Sequence, residues 1–180
     1  MELRAWSLEE WRDERKERMA TEKKIDELVR LAIAAELDGV DELIDAPTWA
    51  LARCYNGCGP EWIDDLLVYG DRIRDKLTRF LELFEPAFLG HDWDFSNSDG
   101  SEERFHAANL RLLCNCRKLA DRKYGWWNWK RYRARAAAFA IFEAVETFGW
   151  KAWTDAAGKG SLELGAKSLE LGDTTTKGEN

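Results

Sequence analysis

From Ser7 to Asp38 the chain contains neither glycine nor proline, and nothing else in the sequence restricts its fold as strongly. A breaker-free stretch of that length is far longer than a strand and reads as one long helix. Ser7 and Glu10 fit a capping box at its start, and its end is expected near Gly39. The first half, "EEWRDERKERMATEKK", is almost wholly charged, whereas Ile25, Leu28, Val29, Ala32 and Ile33 recur at helical spacing in the second. The first half is therefore expected to project into solvent or meet a partner, and the second to dock on a core.

Helical signals continue along the chain. A short segment around Pro47 to Arg53 leads into "CYNGCGPEW", whose glycines, asparagine and proline force an irregular loop. Asp71 can cap "RIRDKLTRFLELF", with Ile73, Leu77, Phe80, Leu81 and Phe84 on one face and Pro86 closing it. Ser101 can cap "EERFHAANLRLLCNCRKLADRKY", in which Phe105, Ala108, Leu112 and Leu119 share a face. A last helix, "WWNWKRYRARAAAFAIFEAVETFG", ends at Gly149, with "WKAW" beyond it. No run alternates as a strand would, so the fold class is all-α.

From Gly158 the composition turns to glycine, small and polar residues, with "SLELG" at 161–165 and again at 168–172. Two copies are too few for a solenoid. The expected organisation is a charged N-terminal helix (1–39), a helical domain (40–157) and a tail (158–180) that is either flexible or held by a partner.

With 180 residues, 45% of them hydrophobic and ten of them tryptophan, the chain can bury one real core. A net charge of −7 opposes general nucleic-acid binding, which needs a basic face. No apolar run approaches the roughly 18 residues of a membrane span, and the N-terminus lacks the apolar core of a signal peptide, so a cytoplasmic location is expected. Cys54, Cys58, Cys114 and Cys116 form two close pairs. Four thiolates can complete a zinc site, but these spacings are not those of common zinc modules, and buried or free thiols are the expected reading.

Chemistry concentrates in "GHDWDF", where His91 precedes Asp92. A glycine-rich loop such as "YNGCGPEW" can turn backbone carbonyls toward one point, and a carboxylate such as Asp92 can complete an oxygen site for calcium. His91 would then stand where it can take a proton from water. His106, with no matching carboxylate or cysteine spacing nearby, reads as structural.

The order "NGCGPEW", "FEPAFLGHDW", "EERFHAANLRLL" and "FGWKAW" resembles phage and prophage proteins similar to phospholipase A2, over about residues 54–153. The resemblance implies a phospholipase A2-like helical domain, with calcium held by Asp92 and the backbone around Asn56, Gly57 and Gly59, and His91 activating water. It also implies an aspartate on the facing helix, where this chain has Asn109. Asp121 lies three turns further on. A cysteine is implied three residues before the histidine, able to bridge to the glycine loop, where this chain has Phe88, so Cys58 lacks that partner. Loss of the charge partner costs about ten-thousandfold in a related triad.

Residues 117–135 carry eight basic side chains and one acidic one. Trp126, Trp127 and Trp129 interleave with Lys130, Arg131, Arg133 and Arg135. This mixture suits an anionic lipid surface, a nucleic-acid strand, or an acidic protein partner; alternatively the tryptophans pack in the core and the arginines neutralise acidic helices of the same chain.

The expected function is therefore a virion-associated structural or accessory protein with a degenerate site, first in the cytoplasm of a bacterial host and then in the virion. Its partners would be phage structural proteins or its own copies. The alternatives are a calcium-dependent, phospholipase A2-like ester hydrolase acting on host membrane lipids, and an inhibitor of a host defence protein that would need one contiguous acidic face.

Overall fold

The structure, a computed structural model, describes residues 8–55 and 71–158, with side chains over 19–55 and 81–158. All regular structure among them is helical: α1 (Leu8–Ala34), α2 (Val40–Asp45), α3 (Thr48–Cys54), α4 (Asp71–Ser96), α5 (Glu102–Lys123), α6 (Trp129–Phe148) and a final helix, α7 (150–158). Helix α5 packs along both α4 and α6, and the second half of α1 lies on α3 and α4. The glycine loop, Cys58 and the SLELG repeat lie outside the described residues.

Helix α1 stops earlier than expected. Glu36 takes a left-handed conformation (φ 53°), and the amides of Leu37 and Glu36 bond back to the carbonyls of Ala32 (3.1 Å) and Ile33 (3.0 Å). These bonds satisfy the last carbonyls of the helix, while buried Leu37 anchors the chain beyond it. Ile25, Leu28 and Ala32 are buried as expected, but Ile33 is turned outward. Gly39 instead opens α2, which the sequence did not announce.

Gly39 sits at φ 80°, with the Arg111 side chain where a Cβ would go. Gly39→Ala is expected to cost about 1–3 kcal/mol in urea denaturation, because it combines left-handed strain with displacement of Arg111. An unchanged midpoint would show that the loop relaxes freely.

Pro86 does not close its helix. Helix α4 runs through it to Ser96. An interior proline costs about 3 kcal/mol, but Phe84, Ala87, Phe88 and Leu89 around it are all buried. Burying one such large side chain is worth about 1.5–3 kcal/mol, so packing outweighs the lost backbone bond. Continuation of α4 places His91 and Asp94 on the face that meets α5.

Helix α5 begins as its sequence suggests, the Ser101 side chain accepting a bond from the Arg104 amide at 3.4 Å. Phe105, Ala108, Leu112 and Leu119 are buried, with Cys116 and Ala120. Asn115, also buried, accepts from the Asp38 amide (2.8 Å) and donates to the Asp38 carbonyl (3.0 Å), tying α5 to the α1–α2 connection. Helix α6 is capped by Asn128, whose side chain accepts from the Lys130 amide. Helix α7 folds back, so that Trp153 packs on Phe95 and Phe105.

Candidate functional site

Two helices place the central pair. His91 on α4 and Asn109 on α5 face each other, with His91 Nε2 and Asn109 Oδ1 2.9 Å apart. Asn109 is fully buried and His91 is 8% exposed. The Asn109 amide donates its Nδ2 proton to Glu146 Oε1 on α6 at 3.2 Å. A carboxylate can only accept, so its presence turns the amide oxygen toward His91 and leaves the proton on Nε2.

The network continues outward. Glu146 Oε2 lies 2.7 Å from His106 Nδ1, and His106 Nε2 lies 3.6 Å from Glu102. His106, expected to be structural, is thus the outer end of a chain of polar groups that begins at His91. Glu146 was not marked by any motif. It is one of two glutamates on α6, and the sequence does not distinguish it from Glu143.

Burial pushes the His91 pKa down to about 4, against a smaller upward pull from its bond to Asn109. The imidazole is therefore neutral at pH 7. Phe95 lies over it, with centroids 4.4 Å apart. Nearest to it stands an uncharged amide, not a carboxylate, so an imidazolium formed here lacks a direct counter-charge.

Asp92 is close enough to Cys54 for its charge to raise the thiol, which burial first and Asp92 second push up to about 11. Asp92 thus lies near Cys54, the last residue of α3. Asn56, Gly57 and Gly59 lie outside the described residues. Among the described residues no three histidine, cysteine, aspartate or glutamate side chains gather as a metal-holding group. Cys54 is half-buried, Cys114 exposed and Cys116 buried, all free thiols. Phe88, at the position of the implied cysteine, is a core side chain.

Asp94 was missed by the sequence reading. Its Oδ2 is buried without a hydrogen-bond partner, and Arg111 reaches Oδ1 at 3.3 Å. Burial pushes its carboxyl up to about 6, with Arg111 pulling the other way. Arg111 also holds Glu42 of α2 at 3.1 Å. Asp94 lines a hollow of about 70 Å³ with Arg104, Arg111 and Trp153. His91 lines neither this hollow nor the larger groove between α1, α4 and α5 beside Pro86 and Leu119.

At the α5–α6 turn the tryptophans stay out of the core. Trp127 is 92% exposed, Trp126 65% and Trp129 60%. Arg133 stacks over Trp129 at 4.8 Å, and Lys130 and Arg133 are both exposed. Arg131 differs from its neighbours. It is buried, bonds Asp121 at 2.6 Å and lies under Trp126. Its hydrogen bond is the main reason the Asp121 carboxyl is held below the usual carboxylate range. Asp121 therefore belongs to Arg131 and Arg135, and it is Asn109 that meets the histidine.

No helix among the described residues is long and apolar enough to cross a membrane. Compared with known protein families, with curated proteins and with solved structures, the chain shows no match.

Proposed function

We propose that the chain is an interaction protein, a virion-associated structural or accessory component on a phospholipase A2-like helical domain, in which His91 serves packing more than hydrolysis. One observation carries this reading: His91 is buried and neutral, and its Nε2 proton is held by Asn109. A general base works best with a pKa near the working pH. One pushed to about 4 is a weak proton acceptor, and the neutral amide beside it does little to stabilise the cation formed. The exposed aromatic and basic turn supports the same reading, because three large side chains left in solvent are what a docking surface needs.

The hydrolase reading is favoured by a different observation. Asn109 meets His91 at 2.9 Å, and Asp92 lies near enough to Cys54 for its charge to act on the thiol. If calcium is held there, Asp92 and the loop carbonyls at Asn56, Gly57 and Gly59 would be its ligands, and the chemistry supplied would be polarisation of an ester carbonyl by the ion. An inhibitor would need one acidic face, whereas Asp38, Glu42, Asp94, Asp99 and Asp121 each stand against a lysine or arginine.

The test is fatty-acid release from phospholipid vesicles by the purified chain, with calcium and with chelator, beside His91→Ala. Release at the mutant's level, from protein with native helicity, is expected. Calcium-dependent release that His91→Ala abolishes would establish the hydrolase instead.

A further inference from the structure

Between its charged residues, helix α6 carries an apolar strip on the side away from the core as well as on the core side, where Arg131 is buried too. Ala134, Ala138 and Ile141 face the core, while Trp129, Tyr132, Ala136, Phe139 and Ala140 form the opposite, exposed face. Contiguous large apolar side chains left exposed along one helix face mark an interaction surface. The outward positions 129, 132, 136, 139 and 143 alternate in steps of three and four, the spacing of a helix–helix seam.

We propose that α6 pairs with α6 of a second copy of this chain, antiparallel, across a two-fold axis near Ala136. This rests on the interaction reading above and names its partner. Charge selects the direction. Lys130 and Arg133 are exposed at the start of the helix and Glu143 at its end. An antiparallel pair sets each basic end on an acidic one, whereas a parallel pair would set like on like.

The neighbouring helix repeats the asymmetry, with Arg122 and Lys123 exposed at the turn and Glu102 and Glu103 at the far end. Side-chain size fits the same arrangement. With Ala136 on the axis, Tyr132 falls opposite the partner's Ala140, and Arg133 opposite the partner's Phe139, so that large meets small and cation meets ring. A two-fold pair of this kind closes on itself and leaves no seam open for filament growth.

Light scattering and sedimentation of the full chain test this. At about 100 μM the expected mass is twice the 20.8 kDa of one chain. Ala136→Glu, at an exposed site, is expected to give the single-chain mass with unchanged helicity. Because this register sets Glu143 one helical turn from the partner's Arg133, Arg133→Glu and Glu143→Arg should each weaken association about tenfold, and the two together should recover most of it. These positions lie about 15 Å apart along one helix, so restoration must act between chains.

A single-chain mass for the wild type would overturn the pairing, as would a double mass for Ala136→Glu or absence of restoration. Binding of a monomeric chain to anionic vesicles, lost in Lys130→Glu, would assign the surface to lipid instead. The fatty-acid assay separates the two failures, since a monomer without hydrolysis leaves the interaction reading standing and removes only this partner.

Discussion

Trp153→Ala is expected to destabilise the fold by about 3–5 kcal/mol, lowering the melting temperature by roughly 10 °C for a chain of this size. Trp153 is 2% exposed and joins Phe105 and Ala108 in a small cluster separate from the main core, with Phe95 against it. Its indole proton bonds the Ser101 carbonyl at 3.0 Å, and its own carbonyl accepts from Ser98 at 2.9 Å. Truncation thus empties the space under the α4–α5 corner and leaves the Ser101 carbonyl without that donor. Trp153→Phe keeps most of the volume and should cost about a third as much.

The loss should also reach the site. Phe95 touches both Trp153, at 5.1 Å, and His91, at 4.4 Å. With Trp153 gone, water approaches the imidazole and its pKa should rise from about 4 toward 6.5, the ordinary value. Chemical unfolding and a proton NMR titration of His91 read the two effects. A small stability loss with an unmoved titration would show that α7 only decorates the surface.

The second large effect is hidden in the wild type because two buried groups oppose each other. His91 has a folded pKa of about 4 against 6.5 when unfolded. As pH falls from 6.5 to 4 the unfolded chain takes up a proton that the folded chain refuses, and stability is lost. Asp94 has a folded pKa of about 6 against 3.8. Over nearly the same window the folded chain holds a proton that the unfolded chain releases, and stability is gained as pH falls.

Each shift is worth on the order of 3 kcal/mol, with opposite sign. The two cancel to first order. Asp94→Asn should therefore lose on the order of 3 kcal/mol between pH 6.5 and 4. His91→Gln, which can still donate to Asn109, should gain a similar amount over the same range. Asp99, whose carboxyl the Ser101 amide and hydroxyl hold down at about 2, acts below this window. Parallel stability–pH curves for the two variants would refute the account.

The site was legible only in part. His91 and residue 109 were singled out from "GHDW" and "AAN", and the structure brings them to 2.9 Å. Glu146 and Asp94 were not, because their importance comes from what lies across from them. Glu146, one of two glutamates on α6, looks like any exposed helix charge until Asn109 is placed against it. The two aspartates of "HDWDF" look alike in sequence, yet one lies near enough to Cys54 for its charge to act on the thiol and the other is buried beside Arg111.

The helical class, the cores of α1 and α5 and the Ser101 cap follow from the sequence by itself. Periodicity and capping are local, and they hold whatever a helix packs against. The passage of α4 through Pro86, the end of α1 at a left-handed glutamate and the inward turn of Arg131 were decided by the tertiary structure alone. In each, a local preference of about 1–3 kcal/mol is overruled by groups distant in sequence: the core around Phe84 and Phe88, the anchoring of Leu37, and the carboxylate of Asp121.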